Sequence, residues 1–354
     1  MALTESRTSA GTFAKFSDWV HRNLLWLLVV SYVLAALFPG PGQKIRGFTL
    51  SGATGDQVTA PMLLLALLLF CAAAVVRWSQ LRELMQRPGV LLLGLIAIWL
   101  VPSLFVSALG WALPAMFGAK ATSGMLVGLA LAAAMPVANS SVAWCQNAQG
   151  NVALSLGFIV LTIVLSPVAA PQMLNLMGLS LSPTETAQCQ QLVTRFSGAF
   201  FIVWVILPSM AGMAFNWLFG LELIDRLRGL LRMVSAATLL TLNYANASLA
   251  MPQALEEGVS KTFLLSSVLA IALSALGVSS GWILSRLLDS DRPTAIALMF
   301  GFSMKHTGLA LVLAGQVLHT EPRVILMIVL ATLLQHVVAG VADWYVAHRG
   351  ESDG

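Results

Sequence analysis

Charge is scarce in this sequence, and its scarcity excludes most soluble classes. Asp, Glu, Lys and Arg together make up 10% of 354 residues, against about 25% in soluble globular domains. A globule of this length keeps too much surface to hide the 58% of residues that are hydrophobic. Carboxylates are scarcer still inside the apolar stretches, where Asp343, near the end of one of them, is the exception. Paired intramembrane aspartates are therefore absent, and no two histidines share a helical turn as metal ligands would. Cysteine is limited to Cys71, Cys145 and Cys189, whose spacing fits no metal or disulfide framework. The two in apolar segments read as small buried hydrophobes. The net charge of +4 comes from arginines in short loops rather than from a basic stripe, so a nucleic-acid partner is not expected. With no enzyme signature left, no catalytic residue, metal or cofactor is expected either.

What the sequence has in abundance is apolar runs long enough for a bilayer, which needs about 20 residues per spanning helix. Ten such runs occupy approximately residues 23–39, 61–78, 90–116, 124–148, 152–178, 192–220, 229–250, 262–286, 294–318 and 324–347. The polar stretch 1–22, with Arg7, Lys15 and Arg22, precedes the run Leu24–Phe38. That run ends in Pro39-Gly40-Pro41-Gly42 with no small-residue cleavage pattern, so it reads as a first span rather than a signal peptide. Lys44, Arg46, Lys120, Arg195, Lys261 and Arg323 fall on one side of the resulting topology. Twelve further cations, including Arg77, Arg82 and Arg87, fall on the other. That bias places both termini in the cytoplasm of a multi-pass protein of a bacterial-type inner cell membrane.

Ten spans divide into two halves of five, residues 1–183 and 184–354, and an odd number per half inverts the second relative to the first. Two polar interruptions test the division. The fourth span breaks at Pro136-Val137-Ala138-Asn139-Ser140-Ser141 and the ninth at Ser303-Met304-Lys305-His306-Thr307-Gly308. Measured from the first span of its half, at residues 23 and 192, each lies at nearly the same distance, 139 − 23 = 116 and 305 − 192 = 113 residues. A helix interrupted within hydrocarbon frees backbone groups that only a cavity or a partner can satisfy. Its freed N-terminal amides also favour an anion. The fourth break alone could be a proline kink whose Asn and Ser bond neighbouring helices. Two breaks in register, one of them charged, favour a substrate site.

Lys305 sits midway along its apolar run, too deep to snorkel easily to the surface. A charged lysine there costs at least ~2.5–3.5 kcal/mol and so marks a functional site. His306 adjoins it, and His336 lies midway along the tenth span. Each is either an interhelical hydrogen-bonding imidazole or a carrier of a coupling proton. Asn243, Asn246, Ser248, Gln316 and Gln335 read as interhelical hydrogen bonding.

At these residues the sequence resembles the bile acid:sodium symporter family. Pro136 followed fourteen residues later by Gly150-Asn151-Val152-Ala153-Leu154-Ser155 is similar to that family's fourth-to-fifth-span motif. Ser166-Pro167-Val168-Ala169-Ala170-Pro171, Met304-Lys305-His306-Thr307-Gly308-Leu309-Ala310 and Gln335-His336-Val337-Val338-Ala339-Gly340 resemble its later motifs. The resemblance covers essentially the whole chain. It implies an all-α polytopic membrane protein of ten helices in a 5+5 inverted repeat, with broken helices 4 and 9 crossing mid-membrane. It further implies a panel domain of helices 1, 2, 6 and 7 and a core domain of helices 3–5 and 8–10. By the same resemblance, a small anionic solute would face Asn139, Ser140, His306, Thr307 and His336, and the mid-span charge adds Lys305 to that site.

The sequence departs from that family at its sodium sites. Gly301 stands where the resemblance places a glutamate ligand, Lys305 where it places a glutamine, and Ser141-Val142 where it places Ser-Asn. Ile159 stands for a threonine ligand, which leaves Ser141 and Ser155 as a residual ion site. A hard cation needs several oxygens, ideally with a carboxylate, so sodium is not expected, and proton coupling through Lys305 and His306 is left open. The expectation is an alternating-access secondary transporter of a small organic anion. The alternatives are an inorganic oxyanion or metalloid permease of related fold, a sodium-coupled symporter with altered sites, and a non-transporting membrane receptor or intramembrane enzyme. The bilayer is the expected environment, and nothing in the sequence specifies an oligomer.

Overall fold

A computed structural model describes residues 19–20, 23–51, 57–75, 88–196, 199–256 and 261–352. The basic segments that carry Arg7, Lys15 and Arg22, and Arg77, Arg82 and Arg87, lie outside the described residues. The chain is mostly helical, with one short antiparallel hairpin between β1 (Thr49–Ser51) and β2 (Gln57–Thr59), in which Leu50 faces Val58. Among the described residues, five helices are long and apolar enough to cross a membrane: Pro88–Phe117, Val152–Gly178, Ala199–Gly220, Lys261–Leu287 and Pro322–Val346. A bent pair, Leu24–Leu37 and Pro39–Gly47, makes up to six.

The remaining apolar stretches are interrupted or short. Met125–Ala134 has 10 residues and Thr307–Val317 has 11. At 1.5 Å per residue each reaches about 15 Å, half of the ~30 Å hydrocarbon core. The first stretch also departs from expectation. Helix α1 (Leu24–Leu37) stops at Phe38, and α2 (Pro39–Gly47) leaves at 94° just where the first apolar run was expected to end. Pro39 starts α2 because its missing N–H would find no helical partner there anyway. The Phe38 carbonyl at the bend accepts from Tyr244 Oη at 2.6 Å. The stretch expected at 192–220 is not one helix, because polar residues open a separate amphipathic helix at Pro183–Phe196. Before Pro208, which can donate no hydrogen bond, Ile202–Ile206 is wound as a π-helix. The run expected at 229–250 is the later part of Leu207–Glu256, which is broken at Gly220 (φ 73°).

The chain separates into two compact units. The first comprises residues up to Arg77 together with Ile202–Ser248. Within it α3 (Ala60–Ala74) is tied to the long helix by Asn216 Nδ2, which donates to the Ala74 carbonyl at 2.7 Å. Tyr32 Oη donates to Asn243 Oδ1 at 3.1 Å and Ser31 Oγ to the Leu240 carbonyl at 3.2 Å. The polar residues of the seventh stretch are thus interhelical in part.

The second unit comprises Trp78–Phe201 and Leu249–Gly354. It holds α4 (Pro88–Phe117), α5 (Met125–Ala134), α6 (Ser140–Asn147), α7 (Val152–Gly178) and α8 (Pro183–Phe196). The long helix Leu207–Glu256 is α9, and the second unit continues with α10 (Lys261–Leu287), α11 (Arg292–Ser303), α12 (Thr307–Val317) and α13 (Pro322–Ser352). Its core contains α5, whose every residue is buried. Helices α10 and α11 approach closely because Gly277 and Gly281 lack side chains. A Cβ at either would come within 2.6 Å of the backbone of Phe302 or Leu298. Helix α7 starts at Asn151, whose Oδ1 accepts from Leu154 N at 3.0 Å, and α11 starts at Asp291, which accepts from Thr294 N at 3.1 Å. Gly150 precedes Asn151 because a Cβ there would collide with Ile296 and with Cys145 Sγ.

Candidate functional site

Pro136 and Lys305 mark two places where helices stop inside the apolar core of the second unit. Between α5 and α6 the backbone is extended from Met135, and between α11 and α12 it is extended at Met304. The two extended pieces meet. Val137 and Lys305 form an antiparallel bridge in which Ala138 N donates to the Met304 carbonyl at 3.0 Å and His306 N to the Pro136 carbonyl at 2.8 Å.

Buried backbone must be hydrogen-bonded somewhere, and the other freed groups find partners on neighbouring helices. Thr162 Oγ1 of α7 accepts from Val137 N at 3.1 Å. Trp99 Nε1 of α4 donates to the Ala134 carbonyl at 3.1 Å. Gln335 Oε1 of α13 accepts from Lys305 N at 3.0 Å, and Gln335 Nε2 donates to Thr307 Oγ1 at 3.3 Å. At the head of α6, Asn139 makes no side-chain cap bond.

The Lys305 side chain is buried, 3% exposed, and donates from Nζ to the Ile98 carbonyl at 2.6 Å. Ile98 is four residues before Pro102, so no helical N–H competes for that oxygen. Lys305 makes no salt bridge among the described residues. It lines a recess with Thr307, Ser303, Ser274, Gln335, Ile98 and Pro102, among others.

The other expected site residues fall into three places. His306 caps α12, its Nδ1 accepting from Leu309 N at 3.2 Å, so a neutral ring carries its proton on Nε2. His336 Nδ1 lies 2.8 Å from the Thr332 carbonyl, which requires the proton on Nδ1, so in a neutral ring Nε2 is a bare acceptor. That Nε2 is buried with no partner. Asn147 Nδ2 donates to Asp343 Oδ2 at 2.7 Å, and the Trp144 ring lies 3.6 Å from where Gly340 would carry a Cβ. Asn139 and Ser140 are half-buried, whereas Ser141 and Ser155 are fully buried and hydrogen-bond each other at 3.2 Å.

Gly301 faces an aromatic ring. A Cβ there would sit 3.1 Å from Phe158 Cδ2, and one on Gly94 would sit 2.5 Å from Phe158 Cζ. The wholly buried Phe158 therefore fills the space between two glycines. Sequence reasoning passed over Phe158, Thr162, Trp99 and the Ile98–Pro102 pair, and read Gln335 as ordinary hydrogen bonding. The available signal was a proline within an apolar helix whose freed carbonyl requires a donor. Among the described residues, no three His, Cys, Asp or Glu side chains group to hold a metal.

The sequence profile of the SBF-like CPA transporter family matches residues 22–349. The chain belongs to that family. It is 25% identical over 311 residues to the uncharacterized protein YbaS of Bacillus subtilis (strain 168), covering 88% of this chain and 96% of that protein. It is 24% identical over 253 residues to the uncharacterized sodium-dependent transporter YocS of the same organism, covering 71% of this chain and 72% of that protein. Family membership agrees with the resemblance drawn from Gly150-Asn151 and Met304–Ala310, and makes the chain a membrane transporter of this kind.

Proposed function

We propose that this chain is a secondary transporter of a small organic anion that works without sodium. The observation that carries the reading is the Lys305 ammonium, buried in the second unit with no carboxylate paired to it among the described residues. Such a charge attracts anions and repels a second cation in a low-dielectric site. The substrate site would comprise Asn139, Ser140, Lys305, Thr307 and His336. The bare Nε2 of His336 would accept from a substrate hydroxyl, and the head of α6 would receive an anionic oxygen. His306 would act chiefly by capping α12. The two broken helices are read as spans 4 and 9 of a ten-span inverted repeat that crosses mid-membrane. The first unit is read as the panel and the second as the core of an alternating-access carrier.

The packing of Phe158 against Gly301 supports sodium independence, because the position the resemblance gives to a carboxylate ligand has no acid, and a side chain there would have to displace the Phe158 ring. A second reading, sodium coupling through altered sites at Ser141 and Ser155, is favoured by the likeness to YocS, which is named a sodium-dependent transporter. Reconstitution into proteoliposomes with a panel of labelled monocarboxylates tests the proposal. Wild-type protein accumulates one or more of them, and Lys305→Ala loses uptake while eluting as a folded species in detergent. Normal uptake by Lys305→Ala would make the lysine structural and remove the main support for an anionic substrate.

A further inference from the structure

A proline in the middle of a helix removes one N–H, and the carbonyl four residues earlier loses its helical partner. In hydrocarbon such a carbonyl must be satisfied by something else. In α4 the proline is Pro102 and the carbonyl is that of Ile98. The group that reaches it, at 2.6 Å, is the Lys305 ammonium, contributed by the break between α11 and α12, 207 residues away in sequence. Pro102, Ile98 and Lys305 line the same recess. An ammonium has three donor hydrogens, and a buried one needs at least one fixed acceptor. The polar side chains nearby are already engaged in part: Ser274 with the Ala270 carbonyl, Gln335 with the Lys305 amide and Thr307.

From this arrangement we propose that Pro102 is a positioning residue for Lys305. By withholding its N–H it keeps the Ile98 carbonyl vacant, and that vacancy is what fixes the ammonium in the recess. The lysine in turn satisfies a carbonyl whose helical N–H partner Pro102 has removed. The two residues are mutually dependent although neither side chain needs to touch the other. The idea builds on the reading of Lys305 as the fixed charge of the transport site. Its test reads stability, so it can fail while that reading stands.

The test is a double-mutant cycle on the full-length protein purified in detergent, with melting temperature as the readout. In the wild-type background, Pro102→Ala supplies a helical N–H that competes with Lys305 for the Ile98 oxygen, and the melting temperature falls by about 2 °C or more. Lys305→Met keeps the length of the side chain but removes the donor, which leaves the Ile98 carbonyl orphaned. In that background the same Pro102→Ala change closes the helical hydrogen bond, and the melting temperature rises. In Lys305→Gln, whose amide still donates, Pro102→Ala again lowers it. If Lys305→Met does not yield folded protein, the proposal requires Pro102→Ala/Lys305→Met to recover a folded species on size exclusion. A shift of the same sign and size in all three backgrounds would show that Pro102 is only a bend in α4 and overturn the proposal. So would failure of the double variant to recover a folded species that Lys305→Met alone had lost.

Discussion

Phe158 and Gly301 illustrate how much of this site is decided by single residues. The ring lies between Gly94 and Gly301 and meets Phe302 edge-to-face, with centroids 6.3 Å apart. Truncation by Phe158→Ala should cost about 3–5 kcal/mol of stability, the range for a buried aromatic removed without collapse. Gly301→Glu should destabilise as well, because the new side chain must enter the space the ring fills. Thermal melts of both variants with and without sodium chloride check this. A sodium-dependent rise in the melting temperature of Gly301→Glu would mean the ring can move aside, contrary to the packing described. In the sequence, Gly301 could be read as a missing ligand but not as a packed position, because the ring that fills it lies far away at Phe158. Lys305 was legible as a buried charge from its depth within an apolar run. Its acceptor was not, since a backbone carbonyl leaves no mark on composition and only Pro102 hints at it.

At the scale of elements, the paired breaks depend on side chains from uninterrupted helices. Thr162 accepts from Val137 N and donates to the Phe158 carbonyl at 2.6 Å, so one hydroxyl joins the α5–α6 break to α7. Thr162→Val keeps the shape but leaves the Val137 amide unsatisfied, which should cost about 1–3 kcal/mol. Thr332→Val is the control. That hydroxyl, likewise buried, donates to the Ile328 carbonyl at 2.8 Å within a continuous helix, and among the described residues no backbone amide donates to it. Equal losses in the two variants, measured by thermal melts, would show that the break does not rely on Thr162. The interruptions themselves were legible, since Pro136 and the polar run at Ser303–Gly308 stand out against apolar surroundings. Their hydrogen-bonded bridge was not, because extended segments of three or four residues carry no periodicity to read. The bend at Phe38 was missed for a related reason: Pro39-Gly40-Pro41-Gly42 has loop composition, yet proline at a first helical turn is compatible with continuing as helix.

At the scale of the whole molecule, membrane residence was legible from composition alone. The large exposed hydrophobics, among them Trp111, Val168, Trp217, Leu264 and Trp344, fit that environment. What composition could not supply is the energy source of transport. On the present reading, initial uptake rates at fixed pH should be equal in sodium and in choline buffer. A steep dependence on sodium would favour the YocS-like alternative and assign Ser141 and Ser155 to an ion. The contact between Lys305 and Ile98 also has a consequence for biosynthesis. With 207 residues between them, and synthesis at about 5–20 residues per second, the ribosome reaches the lysine roughly 10–40 s after the carbonyl. On that order the Ile98 oxygen waits for its donor while α5 to α11 are made. The lysine, arriving late and costly to insert, meets an acceptor already in place.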